Sequence, residues 1–291
     1  LTVASQSQGQ GHETAFAQLI SERLGMPFDD VELRQGDSDD VPIGFATIGS
    51  RSMIMAGSAI ANTCDAVIEK GRAWAGHLLE AAEADIEFAE GRFRVAGTDR
   101  DIELRELAGK VRAAVAAGDA PPDLPDTLDS EEEYRASEQF FPNGCHISEV
   151  EIDPDTGDLA VVRYVAVDDV GNVINPMIVH GQVHGGVAQG IGQATREEVR
   201  YDETGQLLTG SFMDYAMPRA TDVPMVDTGF HPVPSTTNPL GVKGIGESGV
   251  VGAVPSVMNA IADALASRGA RVDFDMPATS EKIWRALNPT D

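Results

Sequence analysis

Residues 243–257 read KGIGESGVVGAVPSV, and they restrict the chain more than any other stretch. One carboxylate, Glu247, stands among glycines and small apolar residues. Glycines at that density let a backbone come close to a neighbouring backbone or a ligand, because no Cβ intervenes. A glycine loop that runs into a helix also exposes N–H groups at the helix start, where an anion or a polar ligand fits. Gly244, Gly246 and Gly249 satisfy G-x-G-x-x-G literally. A dinucleotide-binding fold needs a buried strand directly before that motif. The approach here is HPVPSTTNPLGVK, with three prolines and no apolar strand, so that fold is excluded. Glu247 is left with two uses. It is an acid complementing a helix dipole, or a working carboxylate beside a ligand.

The rest of the composition narrows the partners. The chain has 291 residues, 42% hydrophobic and 23% charged, which suits one or two globular domains. Its net charge of -26 repels nucleic acid and anionic membranes, and neither is expected as a partner. The two cysteines, Cys64 and Cys145, form no C-x-x-C pair, so iron–sulfur clusters and structural zinc are not expected within the chain. Lone cysteines fit a reducing, cytoplasmic compartment. No run of about 18 apolar residues marks a membrane span, and no signal-peptide pattern is visible. The opening LTVASQSQGQGHE has no methionine and a strand already under way, so a longer parent polypeptide is expected.

Periodicity predicts α+β architecture in two lobes. The first lobe spans 1–118. It holds a helix over ETAFAQLISERLG, a strand in DDVELRQGD and a long helix over 51–82. A hairpin turning at Glu90-Gly91 and a helix over IELRELAGKVRAAVAAG complete it. Residues 119–140, rich in proline and acids, read as a linker or long loop. The second lobe, 141–291, opens with a strand pair joined by Asp-Pro-Asp-Thr-Gly-Asp. HGQVHGGVAQGIGQATREE reads as helical despite five glycines, and EVRYDETGQLLTGSF as a second hairpin. A helix over SVMNAIADALASRG follows. RVDFDMPATSEKIWRAL gives a short strand and a helix capped by Thr279 or Ser280.

Three further stretches carry candidate chemistry. In SQGQGHET, Gly9 and Gly11 flank Gln10, which is either a ligand contact or part of a plain strand-to-helix turn. In ATIGSRSMIMAG, Ser50 and Ser52 either cap the long helix or hold phosphate oxygens. His180 and His184 share a helical face in HGQVH. The glutamate of a zinc helix is replaced by Gly181, so no metal is expected there.

Taken together and in order, these stretches carry a resemblance. QGQGHETAFAQ (8–18), GSRSMIMAGSAI (49–60), DDVGNVINPMIVHGQVHGGVAQGIG (168–192), MDYAMP (213–218) and NPLGVKGIGESGVVGAVPSVMNAI (238–261) cover most of the chain. The chain resembles the C-terminal part of the large subunit of the molybdenum hydroxylases, the xanthine oxidase and aldehyde oxidoreductase group. It is most similar to the branch that includes aerobic carbon monoxide dehydrogenases. The resemblance implies a molybdenum–molybdopterin cofactor, in many bacterial members a cytosine dinucleotide, with the metal held through the pterin and not by side chains. It implies that Gly9, Gln10 and Gly11, the loop Ile48, Gly49, Ser50, Arg51 and Ser52, then Gln182, and then Lys243, Gly244 and Gly246 line that cofactor. Glu247 is implied as the active-site base, which must be carboxylate before the reaction and then take a proton. Iron–sulfur and FAD groups are implied on partner subunits.

The match also has departures. The family's large subunit is more than twice this length, and its upstream part carries substrate-guiding residues and, in carbon monoxide dehydrogenases, the copper-holding loop. Ser248-Gly249-Val250 resembles the general hydroxylase branch and implies an organic substrate. The other expectation considered, a binding or scaffold protein without cofactor, would show loss of Gln10, Gln182 or Glu247, and all three are present.

Overall fold

The structure, a computed structural model, describes residues 1–41, 46–136, 138 and 141–289. It is α+β, with small sheets and six helices among the described residues, in two compact units. The first unit comprises Leu1–Gln139 and Ser235–Val242, the second Phe140–Pro234 and Lys243–Asp291. Residues 235–242, expected in the second lobe, thus belong to the first unit.

In the first unit, β1 (Thr2–Val3) pairs in parallel with β2 (Arg34–Gln35), and α1 (His12–Leu24) lies between them in sequence. The strand expected over 29–37 is only those two residues, because Phe28–Asp30 forms a 3-10 turn. The long helix, α2, spans Ser52–Leu78. The hairpin β3 (Ile86–Ala89) and β4 (Arg92–Val95) gains a third antiparallel strand, β5 (Asp101–Glu103). The helix α3 therefore starts at Leu104, two residues later than IELRELAG suggested, and runs to Ala117. Ile102 explains the difference, since it is buried with Phe93 opposite it on β4. Trp74, Phe93, Leu107 and Val111 centre this core. Of the expected linker, residues 137, 139 and 140 lie outside the described residues. Within the rest, Leu124 and Leu128 pack on the same core, and the Trp74 indole donates to the Pro125 carbonyl at 2.7 Å. The prolines keep that segment out of helix, but two leucines and one acceptor hold it down.

In the second unit, β6 (Asn143–Ile152) and β7 (Leu159–Asp169) pair antiparallel with a bulge at Glu149/Val150. A strand absent from the sequence expectations, β8 (Val226–Phe230), joins β7 in parallel. Its five residues, VDTGF, show no strict alternation, so only the sheet edge identifies it. The glycine-rich helix α4 spans Pro176–Thr195, and the Asn175 side chain accepts the Ile178 N–H at 3.0 Å as its cap. The next helix, α5, runs from Ser248 to Ala266 through Pro255, starting well before the expected SVMNAIADALASRG. The last, α6 (Ser280–Leu287), is capped by Thr279. The second hairpin reduces to one bridge, Tyr201 with Leu207. The strand expected in RVDF does not form, because Val272 and Phe274 pack on the core without a ladder partner.

The core of this unit follows a four-residue spacing. Val183, Val187 and Ile191 of α4 meet Ala253, Val257, Ile261 and Leu265 of α5, all buried. Burial of each large side chain contributes about 1.5–3 kcal/mol. Although α5 has 19 residues and a mean hydropathy of 1.4, the length and composition of a membrane span, this flank is core. Glycine sets how close the two helices come. A Cβ on Gly249 would lie 2.6 Å from the Val183 carbonyl, one on Gly186 2.8 Å from the Gly249 Cα, and one on Gly190 2.5 Å from the Ala253 Cβ. Gly185, on the exposed side of α4, faces open space. Gly186→Ala should therefore lower the stability of the chain by about 1–3 kcal/mol in urea unfolding. Gly185→Ala should raise it by up to about 1 kcal/mol.

Candidate functional site

The first unit carries Gly9, Gln10, Gly11 and Ile48 to Ser52, and the second carries Gln182, Lys243, Gly244, Gly246 and Glu247. Each group is assembled within its own unit.

In the first unit one carbonyl joins the two loops. Gln10 folds back, so that its Nε2 donates to the Gln6 carbonyl at 3.3 Å and its Oε1 accepts the Gln8 N–H. The Thr47 hydroxyl donates to the same Gln6 carbonyl, and Ser52 Oγ reaches Thr47 Oγ1 at 3.4 Å. The Q-G-Q-G stretch and the hydroxyl-rich loop therefore meet at Gln6. Gly49 (φ 61°) and Ser50 (φ 54°) are both left-handed, and serine holds that conformation at a cost of about 1–2 kcal/mol. Ile48 is exposed. A Cβ on Gly9 or Gly49 would meet nothing within 4 Å, so both loops leave an open backbone face. His12, at the start of α1, is buried and stacked 4.8 Å from Phe16. Burial pushes its imidazole below the usual range, against smaller opposing effects of Gln35 and Glu13.

In the second unit Gly249, two residues after Glu247, packs on Val183 of α4; Gln182, which precedes Val183, is half-buried. Glu247 is exposed and occupies the residue before α5, where its carbonyl accepts the first helical bond from Val251 at 3.0 Å. Ser248 donates its N–H to Ile245 at 3.1 Å, closing the turn, while Ser248 Oγ is buried without a hydrogen-bond partner among the described residues. At the other end of the loop, Lys243 pairs with Asp169, and its N–H donates to the Val170 carbonyl at 2.8 Å. Asp169 Oδ1 accepts the N–H groups of Gly171 and Val233, each at 2.9 Å. Burial raises the Asp169 carboxyl, but the Lys243 ammonium and those two N–H groups outweigh it and hold it below the usual carboxylate range. Asp169 is the last residue of β7, and in sequence only its place in D-D-V-G marks it, because its partners Val233 and Lys243 are far away along the chain.

The remaining polar candidates are structural. His146 sits behind α5 against Gly252, with Nδ1 2.9 Å from the Tyr164 hydroxyl and Nε2 3.3 Å from Asp168. Burial pushes the Tyr164 phenol up. His180 bonds Thr228 and lies tilted against the Phe230 ring at 4.6 Å, so it is committed to the sheet and not to His184. Among the described residues no cluster of three His, Cys, Asp or Glu could hold a metal.

Each unit has its own backbone donors for an anionic or polar group. The starts of α1, α2, α3 and α5 carry no side-chain cap among the described residues, whereas α4 and α6 are capped by Asn175 and Thr279. Beside the starts of α1 and α2 the loops are open at Gly9 and Gly49, and at the start of α5 the Ser248 Oγ is an orphaned hydroxyl among the described residues.

Residues 1–224 match the molybdopterin cofactor-binding domain. The chain is 39% identical over 284 residues to the carbon monoxide dehydrogenase large chain of Afipia carboxidovorans, covering 97% of this chain and 34% of that one. It is 38% identical over 288 residues to the nicotine 6-hydroxylase large subunit of Paenarthrobacter nicotinovorans, covering 98% and 35%. The quinoline 2-oxidoreductase structure from Pseudomonas putida 86 matches at a TM-score of 0.90 and 38% identity, over 100% of this chain and 36% of that one. The chain spans about a third of the length of the curated relatives it matches.

The two thiols should differ sharply in reactivity. Cys64 is buried in α2, and burial pushes its thiol up to about 11, more than the nearby Arg23 lowers it; Cys145 is exposed. At pH 8 a thiol reagent should label Cys145 alone in the folded chain and both cysteines in denaturant, as mass spectrometry would count.

Proposed function

The chain belongs to the molybdopterin cofactor-binding family, as its glycine loops implied, and on that premise we propose that it is the C-terminal cofactor-holding portion of a molybdenum hydroxylase large subunit. The observation that carries this is the Glu247 loop: an exposed carboxylate among glycines at the start of α5, whose Gly249 packs on α4 at Val183, the residue after Gln182. When bound, the molybdenum–molybdopterin cofactor, in its cytosine dinucleotide form, supplies the two-electron chemistry by which a small molecule is oxidised with water as the oxygen source. Glu247 is the base. It needs to be carboxylate before the reaction and to accept one proton during it, and the glycines around it let the backbone approach without Cβ clashes. Gly9, Gln10 and Gly11 present backbone and amide groups to the pterin. Residues 48–52 offer hydroxyl and N–H donors to pterin and phosphate, and the start of α2 adds the positive end of its dipole. Gln182 orients the cofactor from α4, and Lys243, Gly244 and Gly246 form the loop floor.

The substrate we favour is organic. Ser248-Gly249-Val250 supports this, as does a similarity to nicotine 6-hydroxylase that matches the similarity to carbon monoxide dehydrogenase. On this reading electrons leave through iron–sulfur and FAD groups on partner subunits, in the cytoplasm. Retention of Gln10, Gln182 and Glu247 speaks against a cofactor-free scaffold.

In the complete enzyme, Glu247→Gln should lower kcat by about 10²–10⁴-fold while molybdenum and pterin contents stay at the wild-type level. Normal turnover by the loaded variant would remove Glu247 from the role of base. The isolated chain should contain no molybdenum by elemental analysis and show no turnover; pterin dinucleotide retained on it would contradict the dependence on the rest of the subunit.

A further inference from the structure

We propose that Asp169 is a positioning residue for Glu247, acting through Lys243 to fix the loop that carries the carboxylate; this rests on Glu247 being the base. An aspartate at a strand end ordinarily closes a local turn and leaves its second oxygen to water. Asp169 does close such a turn, accepting the Gly171 N–H at 2.9 Å. The same oxygen also accepts the Val233 N–H at 2.9 Å, from a distant segment, and the second oxygen takes the Lys243 ammonium. Both side chains of the pair are only 13% exposed. The Lys243 N–H to Val170 carbonyl bond, 2.8 Å, doubles the attachment. One carboxylate thus ties three chain segments together at the first residue of the loop.

The other end of the loop is fixed by packing, where Gly249 lies against Val183 and Gly186. Between these two anchors stand Gly244 and Gly246, the residues that lose most freedom on being ordered. A loop with two glycines holds a carboxylate in one place only if both ends are held. Lys243 then serves the site through the loop backbone, because its ammonium is already committed to Asp169. Removing either partner leaves a largely buried charge uncompensated and frees the loop's first residue.

The test uses the full-length large subunit assembled with its redox partners. Asp169→Asn keeps size and one acceptor but loses the charge; Lys243→Gln breaks the clamp from the other side and stands in should Asp169→Asn fail to assemble. Amide hydrogen exchange across 244–248 is read beside kcat, KM and molybdenum content. We expect exchange to speed up about tenfold or more. We expect kcat to fall about 10–100-fold with KM within about threefold and molybdenum retained. The double variant should be no worse than either single one, and Lys243→Arg should recover most of both losses. Exchange and kcat within about twofold of wild type would overturn the proposal, as would a loss confined to molybdenum content and KM. Exchange does not depend on turnover, so a loosened loop in an enzyme that tolerates Glu247→Gln would show that the base assignment had failed and that Asp169 holds a loop without positioning a base.

Discussion

The contact between α4 and α5 is the constraint on which the second unit rests. Where Gly186 meets Gly249, and Gly190 meets Ala253, the helix backbones approach too closely for any larger side chain. That approach lets Val183, Val187 and Ile191 interlock with Ala253, Val257 and Ile261 in a fully buried seam. It also sets the height of the Glu247 loop, since Gly249 is two residues beyond the carboxylate. Helix glycines ordinarily cost stability. Here the cost is offset by packing, and the same residues fix the geometry of the candidate site.

The far side of α5 is fastened by polar groups. His146 lies against Gly252 and joins Tyr164 and Asp168, while Ser256 donates to Ser148 at 3.1 Å. Buried groups of this kind are stable only when every member finds a partner. The Asp169–Lys243 pair belongs to the same class, in contrast to the exposed pairs elsewhere, such as Arg34–Glu32 or Arg285–Glu281, which contribute little. Packing on one flank of α5 and satisfied polar groups on the other leave its start little freedom. The first unit achieves a comparable result differently, with two loops sharing the Gln6 carbonyl.

Much of this was legible in the chain itself. The helix over ETAFAQLISERL and the Glu90-Gly91 turn each have a local cause that the spacing shows, and of the two cap candidates, Thr279 and Ser280, Thr279 takes the role. The misses have a common reason. VDTGF becomes a strand only because β7 offers an edge. RVDF alternates yet finds no ladder, and Ile102 belongs to a strand because Phe93 lies opposite it. Pairing partners far away in sequence decide such segments, and local periodicity carries no record of them.

Sequence by itself determined the α+β class, the glycine loops and the family, and it singled out Glu247 as the candidate carboxylate, since these follow from residue types in a fixed order. Tertiary structure alone decided that Gln10 and the 47–52 loop share one acceptor, that Gly249 after Glu247 packs on Val183 after Gln182, and that Asp169 holds Lys243. Those relations join residues as much as 74 positions apart, and only the close approach of backbones and the burial of charge bring them into contact.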